Sequence, residues 1–356
     1  MKVVSIVGAR PQFIKASPLS RELRLRHHEI LVHTGQHYDR DMSDVFFEEL
    51  GMPVPDYHLG IGSGPHGAQT GAMLAAIETV LQKESPDAVI VYGDTNSTLA
   101  GALAAAKLHL PVAHVEAGLR SFNRRMPEEI NRVVTDHLSA WLLAPSEVSR
   151  QQLAQEGIVQ GVHVVGDIMV DALHLHGTRA AERSEALVRH QLRAGTYYLA
   201  TVHRAENTDE GGNLRRNFGA LSALDRPVIL PLHPRTEKRM AELGVAIGAN
   251  VRVLAPQGYL DMLALQGGAA CVLTDSGGIQ KEAYYLRVPC VTLRNETEWV
   301  ETVVMGWNTL AGTDPERILA AVARCPAPGT PHPDLYGDGT TAARIVQIVS
   351  AEPTRS

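Results

Sequence analysis

Short apolar strands without inside/outside alternation, each followed by a helical segment, are the feature that most constrains the fold of this chain. DAVIVYGD and PVAHVEAG are continuous apolar runs, and each precedes a segment with helical periodicity. Strands that are apolar on both faces are typical of parallel sheets covered by helices on both sides. The pattern therefore predicts an α/β fold built from Rossmann-like, doubly wound sheets.

The strand–helix pattern restarts after about residue 170, which divides the chain into two similar halves. The length of 356 residues also exceeds what one hydrophobic core usually accommodates. We predict one Rossmann-like domain over residues 1–170 and a second over 171–340. A C-terminal amphipathic helix over 341–356 is predicted to pack on the first domain.

Composition and motifs exclude several classes of protein. The net charge is −6 and no long basic tract is present, so nucleic acid is not expected as a partner. No apolar stretch approaches the roughly 20 residues that span a membrane. The three cysteines follow no disulfide or metal spacing. The segment TDSGGIQKEA does not follow the GxGxxG spacing of dinucleotide-binding sites, and GxxxxGK[ST] does not occur in the sequence. We therefore expect a cytoplasmic protein that binds no membrane, no metal and no redox cofactor.

Polar or glycine residues follow nearly every predicted strand. In open parallel sheets ligands bind beyond the carboxyl ends of the strands, so these positions predict a cleft lined with ionisable groups between the two domains. The segments that follow successive strands are GARP, GDT, EAG, HRAEN, HPR and DSGG.

The segment TDSGGIQKEA carries the clearest signal for phosphate binding. Ser276, Gly277 and Gly278 lead into a helix, whose first N–H groups are suited to a diphosphate. Glu282 lies one and a half turns further on and is a candidate for the ribose hydroxyls. The serine and glycines alone also fit an ordinary helix start, so they do not decide between the two interpretations.

Three acids at strand ends or helix starts are candidates for general acid/base chemistry: Asp94, Glu116 and Glu128. Asp94 also fits a helix N-cap. Glu128, and its neighbour Glu129 even more so, also fit the first turn of a helix after Pro127.

Basic residues at two strand ends complete the candidate set. His203 within HRAEN is a candidate donor of a proton to a leaving phosphate. Arg10 and Lys15 are candidates for a pyrophosphate clamp. The Arg10-Pro11 break predicts a loop after the first strand, with a helix beginning near Ile14.

Together these residues resemble a known enzyme family. GARPQFIK, HTGQH, YGDTNSTLAG, HVEAGLRS, MPEEINR, HRAEN, LTDSGGIQKEA and YGDG are similar, in order and along nearly the whole chain, to the non-hydrolysing UDP-N-acetylglucosamine 2-epimerases. The resemblance implies a glycosyltransferase-B-like pair of domains that holds a UDP-sugar. It also implies a homodimer and a role in bacterial surface polysaccharide.

The resemblance assigns roles to residues at matching positions. It implies that Asp94, Glu116, Glu128 and His203 are catalytic. The substrate-binding positions that it implies are Arg10, Lys15, Arg132, Gln257, Ser276, Gly277, Gly278 and Glu282, with Gln257 near the uracil. The implied reaction removes the C2 proton, eliminates UDP to give 2-acetamidoglucal, and adds UDP back after protonation on the opposite face, without a cofactor.

Two departures from the family pattern leave the substrate open. Gln12 stands where the family often has glutamate, and Trp299 stands where it commonly has arginine. Both are similar to the branch that acts on UDP-2,3-diacetamido-2,3-dideoxyglucuronate, whereas HRAEN and IGSGPHGAQTG are similar to members that use UDP-N-acetylglucosamine.

Other activities and a second site also remain open at this point. A glycosyltransferase, a hydrolysing epimerase and a nucleotide-sugar sensor are alternative functions. Some family members bind substrate at a second, activating site, for which Gln36, Arg204 and His233 are the matching candidates here.

Overall fold

The computed structural model describes residues 1–36, 47, 49–232, 234–327 and 329–351. The chain divides into two units, one of Met1–Leu175 with Asp334–Ser356 and one of His176–Pro333. Each unit contains one sheet in which every described strand pairing is parallel. The predicted α/β class with two Rossmann-like sheets is confirmed. No helix in these ranges is long and apolar enough to cross a bilayer.

Strands and helices alternate along most of the described chain. The strands are β1 (Lys2–Val7), β2 (His28–His33), β3 (Tyr57–His58), β4 (Ala88–Tyr92), β5 (Val112–Val115), β6 (Trp141–Ala144), β7 (Val162–Val164), β8 (Tyr198–Thr201), β9 (Val228–Pro231), β10 (Val251–Leu254), β11 (Cys271–Thr274), β12 (Cys290–Thr292) and β13 (Asn308–Leu310). The helices are α1 (Arg10–Leu23), α2 (His66–Glu84), α3 (Asn96–Lys107), α4 (Pro127–Leu138), α5 (Glu147–Gln155), α6 (Ile168–Arg183), α7 (Ala186–Arg189), α8 (Ala205–Thr208), α9 (Gly211–Ser222), α10 (Pro234–Leu243), α11 (Tyr259–Gly267), α12 (Gly277–Tyr285), α13 (Val300–Val304), α14 (Pro315–Ala323) and α15 (Thr341–Val349).

The sheet of the first unit brings three of the polar strand ends together. Its strand order is β3-β2-β1-β4-β5-β6-β7, so β1, β4 and β5 are neighbours. Ser5 pairs with Ile90, and Ile90 pairs with Ala113. Because the three strands are parallel and in register, the turns that follow them leave the same edge of the sheet.

The sheet of the second unit pairs two further strand ends. Its order is β10-β9-β8-β11-β12-β13, and Thr201 at the end of β8 pairs with Thr274 at the end of β11. The HRAEN and DSGG segments therefore begin side by side. Continuous apolar strands at the centre of each sheet are buried on both faces, as the lack of alternation predicts.

The turn after the first strand is shorter than the sequence predicts. Helix α1 already begins at Arg10, with Pro11 in its first turn, so the predicted loop at Arg10-Pro11 is wrong. Proline has a fixed φ that suits the first helical turn, where its missing N–H has no acceptor in any case. The consequence is that Arg10 and Lys15 lie on one helix, more than one turn apart.

Gly118 ends the turn after β5 in a conformation that a larger residue resists. Its φ is 81°, and a Cβ atom there would lie 2.5 Å from the carbonyl oxygen of Ser149. We expect Gly118→Ala to lower the free energy of unfolding by about 3 kcal/mol, measured by urea denaturation. Gly71→Ala in α2, where no atom lies within 4 Å of the added methyl, is the control. It should raise stability by up to about 1 kcal/mol, and equal effects of the two variants would contradict this account.

Candidate active site

Glu116 follows β5 and is held by a buried lysine. Its carboxylate Oε2 lies 2.6 Å from Nζ of Lys15, and both side chains are largely buried. Glu116 also has a φ of 74°, a conformation that costs a non-glycine residue energy and is concentrated at functional sites. Lys15 reaches this position from α1 and also lies beside Gly93, whose added Cβ would be 3.1 Å from Nζ. The lysine therefore connects the turns after β4 and β5.

Asp94 is paired with a buried arginine from α4. Arg132 donates from Nη2 to Oδ2 of Asp94 at 2.5 Å, and Nδ2 of Asn131 donates to the main-chain oxygen of Asp94 at 2.9 Å. The N-cap of α3 is Thr95, whose side chain accepts from the N–H of Thr98, so Asp94 does not serve as that cap. Its carboxylate is instead oriented by α4.

Glu128 and Glu129 are neighbours in the first turn of α4 with different environments. Glu129 is buried and accepts hydrogen bonds from the N–H groups of Ser121 and Phe122, both at 2.9 Å, and from Arg132 at 2.8 Å. Burial raises the pKa of Glu129, but these donors outweigh burial and hold the pKa below its ordinary value. Glu128 is half-buried and makes no hydrogen bond or ion pair with any residue that the structure describes. Glu129 therefore anchors the loop before α4, and Glu128 keeps its carboxyl group available.

Substitutions of the two glutamates should differ in their effect on the stability of the fold. We expect Glu129→Gln to lower the free energy of unfolding by about 2 kcal/mol at pH 7. Because its pKa is lowered in the folded protein, Glu129 stabilises the fold above the unfolded-state value of about 4.3, and this contribution is lost as the pH falls through the folded value. The difference in free energy of unfolding between Glu129→Gln and the wild type should therefore shrink in acid. Urea denaturation of both proteins at pH 7 and in acid measures this difference.

Glu128→Gln is the matched control for that experiment. We expect its free energy of unfolding to stay within about 0.5 kcal/mol of the wild type, since no described residue depends on its charge. A loss of stability for Glu128→Gln that equals the loss for Glu129→Gln would contradict the assignment.

Two other predicted residues of the first unit lie near these turns. Arg10 is the half-buried first residue of α1. Gln36 accepts from the N–H and the hydroxyl of Ser97, at 3.0 and 2.7 Å, so it contacts the start of α3.

In the second unit His203 is oriented by a buried aspartate. Nδ1 of His203 lies 3.1 Å from Oδ1 of Asp275, whose other oxygen accepts from the main-chain N–H groups of His203 and Arg204 and from Nδ2 of Asn207, all at 3.0 Å. Burial raises the pKa of Asp275, but His203 and these donors hold it below its ordinary value. The carboxylate therefore fixes the proton of neutral His203 on Nδ1. Nε2 makes no hydrogen bond with a described residue, and the side chain is 47% exposed.

The serine–glycine segment forms the start of α12, as the sequence predicts. Ser276 is the N-cap, but its side chain does not bond to the helix, and Gly277 and Gly278 are the first helical residues. The first N–H groups of a helix have no acceptor within the helix and carry a partial positive charge. Gly278 is exposed, so this helix start is open to an anion.

The remaining predicted residues of the second unit are more dispersed. Glu282 is buried, and its Oε2 accepts from Nε2 of Gln266 at 2.7 Å. Gln257 is half-buried and donates to the carbonyl oxygen of Ala255 at 2.8 Å. Arg204 is the half-buried N-cap of α8. His233 lies outside the described residues.

Behind the start of α12 lies a cluster of buried charges. Nζ of Lys281 is 3.9 Å from the centre of the Trp299 ring, and Arg294 contacts Glu298 at 3.2 Å. A Cβ atom on Gly277 would lie 3.6 Å from Nε1 of Trp299. Trp299 therefore supports both a buried cation and the helix start. Among the described residues no group of three metal-ligating side chains is placed to hold a metal ion.

Comparison with known proteins identifies the family. The sequence profile of the UDP-N-acetylglucosamine 2-epimerase family matches residues 21–350. The chain belongs to this family. A UDP-N-acetylglucosamine 2-epimerase homolog of Methanococcus maripaludis is 50% identical over 98% of this chain and 99% of its own length. A UDP-2,3-diacetamido-2,3-dideoxy-D-glucuronate 2-epimerase of Pseudomonas aeruginosa is 48% identical over 98% of this chain and 99% of its own length.

Solved structures agree with this epimerase assignment. The UDP-GlcNAc 2-epimerase of Methanocaldococcus jannaschii, in complex with UDP-GlcNAc and UDP, superposes with a TM-score of 0.92 at 44% identity, covering 98% of this chain and 99% of that one. The glycosyltransferase VinC, at 16% identity and a TM-score of 0.52 with 99% and 96% coverage, shows a likeness of fold alone. The resemblance seen in the sequence and the glycosyltransferase-like fold are both confirmed.

Several residues of the candidate site were not singled out from the sequence. Asp275 follows a strand as the other candidates do, but only the contact with His203 reveals its role. Glu129 was interpreted as a first-turn acid, and its hydrogen bonds with the loop at 121–122 are not visible in a linear pattern. Lys281 lies inside the segment TDSGGIQKEA, but nothing in the sequence indicates that its side chain is buried.

Proposed function

We propose that this chain interconverts UDP-N-acetylglucosamine and UDP-N-acetylmannosamine, the two epimers at C2 of one UDP-sugar. The C2–H bond and the bond from C1 to the UDP oxygen break, which gives UDP and 2-acetamidoglucal. Protonation of C2 on the opposite face and return of UDP to C1 then give the other epimer. Atoms balance without an oxidant, a reductant or a cofactor.

Inversion at C2 places a chemical demand on the protein. One group must remove the proton from one face of the ring, and another must deliver a proton to the other face, so two acid/base groups are needed. The observation that carries the proposal is the set of acids on adjoining turns and helices of the first unit. Glu116 contacts Lys15 and Asp94 contacts Arg132, at 2.6 and 2.5 Å, while Glu128 has no described partner.

The paired and unpaired acids suit different tasks. An ammonium or guanidinium group beside a carboxylate favours its charged form, which accepts a proton. We therefore propose Glu116 and Asp94 as the two proton carriers, one of which takes the C2 proton while the other, in its protonated form, delivers a proton to the opposite face. We propose Glu128 as the acid whose carboxyl group is free to contact the sugar.

The second unit supplies the groups suited to the leaving diphosphate. Ser276, Gly277 and Gly278 present helix N–H groups, which stabilise the negative charge that grows on UDP as the C1–O bond breaks. His203, with Nδ1 on Asp275, carries its exchangeable proton on Nε2 when it is charged. We propose that it donates this proton to the departing diphosphate. Glu282 and Gln257 are the proposed contacts of the nucleoside, with Arg10 and Lys15 proposed near the diphosphate.

A second substrate is favoured by a specific observation. The P. aeruginosa relative named for UDP-2,3-diacetamido-2,3-dideoxy-D-glucuronate is 48% identical, and the sequence resemblance makes Trp299 and Gln12 similar to that branch. The alternative proposal is the same C2 epimerisation on this uronate. The elimination and return of UDP would be unchanged, because C3 and C5 do not take part in them.

An assay with both substrates tests the proposal. The protein is incubated separately with each UDP-sugar, and products are followed by proton NMR. We expect the C2 epimer of UDP-N-acetylglucosamine without an acceptor and without net release of UDP. Epimerisation of the uronate alone would support the alternative. Net release of UDP with free sugar would indicate hydrolysis, transfer only with an acceptor would indicate a glycosyltransferase, and UDP-sugar binding without turnover would indicate a sensor. Each of these three results would reject the proposal.

The assembly and location that we propose rest on the resemblance to the family. We propose a cytoplasmic homodimer that provides activated sugars for a surface polysaccharide. Light scattering should give a mass twice the 38.5 kDa of one chain. A mass of one chain at working concentration would reject the homodimer.

A further inference from the structure

A buried charged network lies beneath the acid turns of the first unit and takes no part in the proposed chemistry. His114 on β5 and Asp136 on α4 are both fully buried, and Nδ1 of His114 lies 2.7 Å from Oδ1 of Asp136. Arg120 contacts Oδ2 of Asp136 at 2.8 Å and also pairs with Glu156. Burying charges is costly, so a network of this kind requires that its members satisfy one another.

The hydrogen bonds define the protonation of His114. Its Nε2 lies 2.7 Å from the main-chain oxygen of Gly93, which is able only to accept. Its Nδ1 faces Asp136. Burial raises the pKa of Asp136, but His114 and Arg120 outweigh burial and hold the pKa below its ordinary value, so this carboxylate also accepts. Both ring nitrogens therefore donate, and His114 is an imidazolium.

The network contacts the main chain on both sides of the acid turns. Gly93, whose carbonyl oxygen accepts from His114, directly precedes Asp94. Oδ2 of Asp136 accepts from the N–H of Gly118 at 3.2 Å, two residues after Glu116. Asp136 also lies one turn after Arg132, the partner of Asp94, on α4. One buried ion pair thus contacts the turn of each proposed proton carrier.

We propose that His114 and Asp136 are positioning residues for the epimerase, an imidazolium and a carboxylate that hold the Gly93–Asp94 and Glu116–Gly118 turns in register. The inference rests on the proposed function, because it assigns proton transfer to the acids on those turns. It adds a requirement for charge beneath these turns, because a neutral imidazole at residue 114 donates to Gly93 or to Asp136, but not to both.

Two substitutions each keep one of the two hydrogen bonds of His114 and remove the other. His114→Gln is able to donate to Gly93 as Nε2 does, and His114→Asn is able to donate to Asp136 as Nδ1 does. We expect each to lower kcat by roughly 30- to 100-fold, the scale of a misplacement of about 1 Å at a reacting group. The Kd for UDP should change less than about threefold, since neither residue belongs to the proposed UDP contacts. Asp136→Asn should likewise lower kcat and leave the Kd for UDP nearly unchanged.

His137→Gln is the matched control. His137 follows Asp136 on α4, its side chain is 50% exposed, and it approaches Glu156 only at 3.9 Å. We expect kcat of this variant to equal the wild-type value. A folded His114→Gln or His114→Asn variant with kcat within threefold of the wild type would overturn the inference.

A measurement on the unmodified protein keeps the inference testable if the variants do not fold. The wild type is labelled with ¹⁵N-histidine, and the ring signals of His114 are assigned by their connection to its Cβ. In NMR spectra at pH 7.5, both ring nitrogens of His114 should carry hydrogen. A ring nitrogen without hydrogen would overturn the inference. Failure of the proposed function is distinguishable, because the wild type itself would then not epimerise any UDP-sugar, whatever the state of His114.

Discussion

Glu116→Gln is expected to slow hydrogen exchange at C2 of the UDP-sugar by about a thousandfold, within the range typical of a lost acid/base group. The amide cannot accept the C2 proton, although it keeps the size of the side chain and an oxygen toward Lys15. The measurement is the initial rate of deuterium entry at C2 in D₂O, followed by proton NMR at saturating substrate. The Kd for UDP should stay within about threefold of the wild type, which shows that the variant is folded.

The control for this experiment is Glu182→Gln, an exposed glutamate on α6. It should exchange at the wild-type rate. If Glu116→Gln binds UDP normally and exchanges C2 at near the wild-type rate, the role proposed for Glu116 is wrong. The ion pair with Lys15, at 2.6 Å, would then be a structural one.

Asp275→Asn is expected to lower kcat by roughly 100- to 1000-fold, although Asp275 is buried and does not contact the substrate in the proposed mechanism. The carboxylate accepts from Nδ1 of His203, and an asparagine amide presented to Nδ1 would favour the opposite tautomer. The proton on Nε2 would then no longer be exchanged with the diphosphate.

Two comparisons make the Asp275 prediction specific. Asp209→Asn changes an exposed aspartate of the same unit that pairs with Arg235, and should leave kcat unchanged. His203→Asn should lower kcat by roughly 100-fold or more, and the double variant should be little worse than either single one if the two act as a unit. Multiplied effects in the double variant would show that Asp275 and His203 act independently.

The sequence predicts the architecture well where strands are central in the sheet and largely apolar. β1, β4, β5 and β11 lie where the continuous apolar runs place them. β3, β7 and β13 were not predicted, because segments of two or three residues at sheet edges have too few positions to show a pattern. The start of α1 was placed too late, because Pro11 was interpreted as a break although proline also suits a first helical turn.

The candidate site is predictable as a set of strand ends but not as a set of pairs. The rule on carboxyl ends of parallel strands selects Asp94, Glu116 and His203 from the sequence alone. The pairing of Glu116 with Lys15 depends on β1, β4 and β5 being neighbours, which a linear pattern does not contain. Likewise, Glu128 and Glu129 both fit the first turn of a helix after Pro127. Only tertiary contacts make one of them a loop anchor and leave the other available.

Isotope content at C2 is the measurement that tests the central claim most directly. The wild type is allowed to reach equilibrium with its UDP-sugar in D₂O, and both epimers are isolated and analysed by mass spectrometry and proton NMR. The account predicts one deuterium at C2 in each epimer and none elsewhere on the sugar carbons. Formation of the second epimer with its original protium retained at C2 would contradict it.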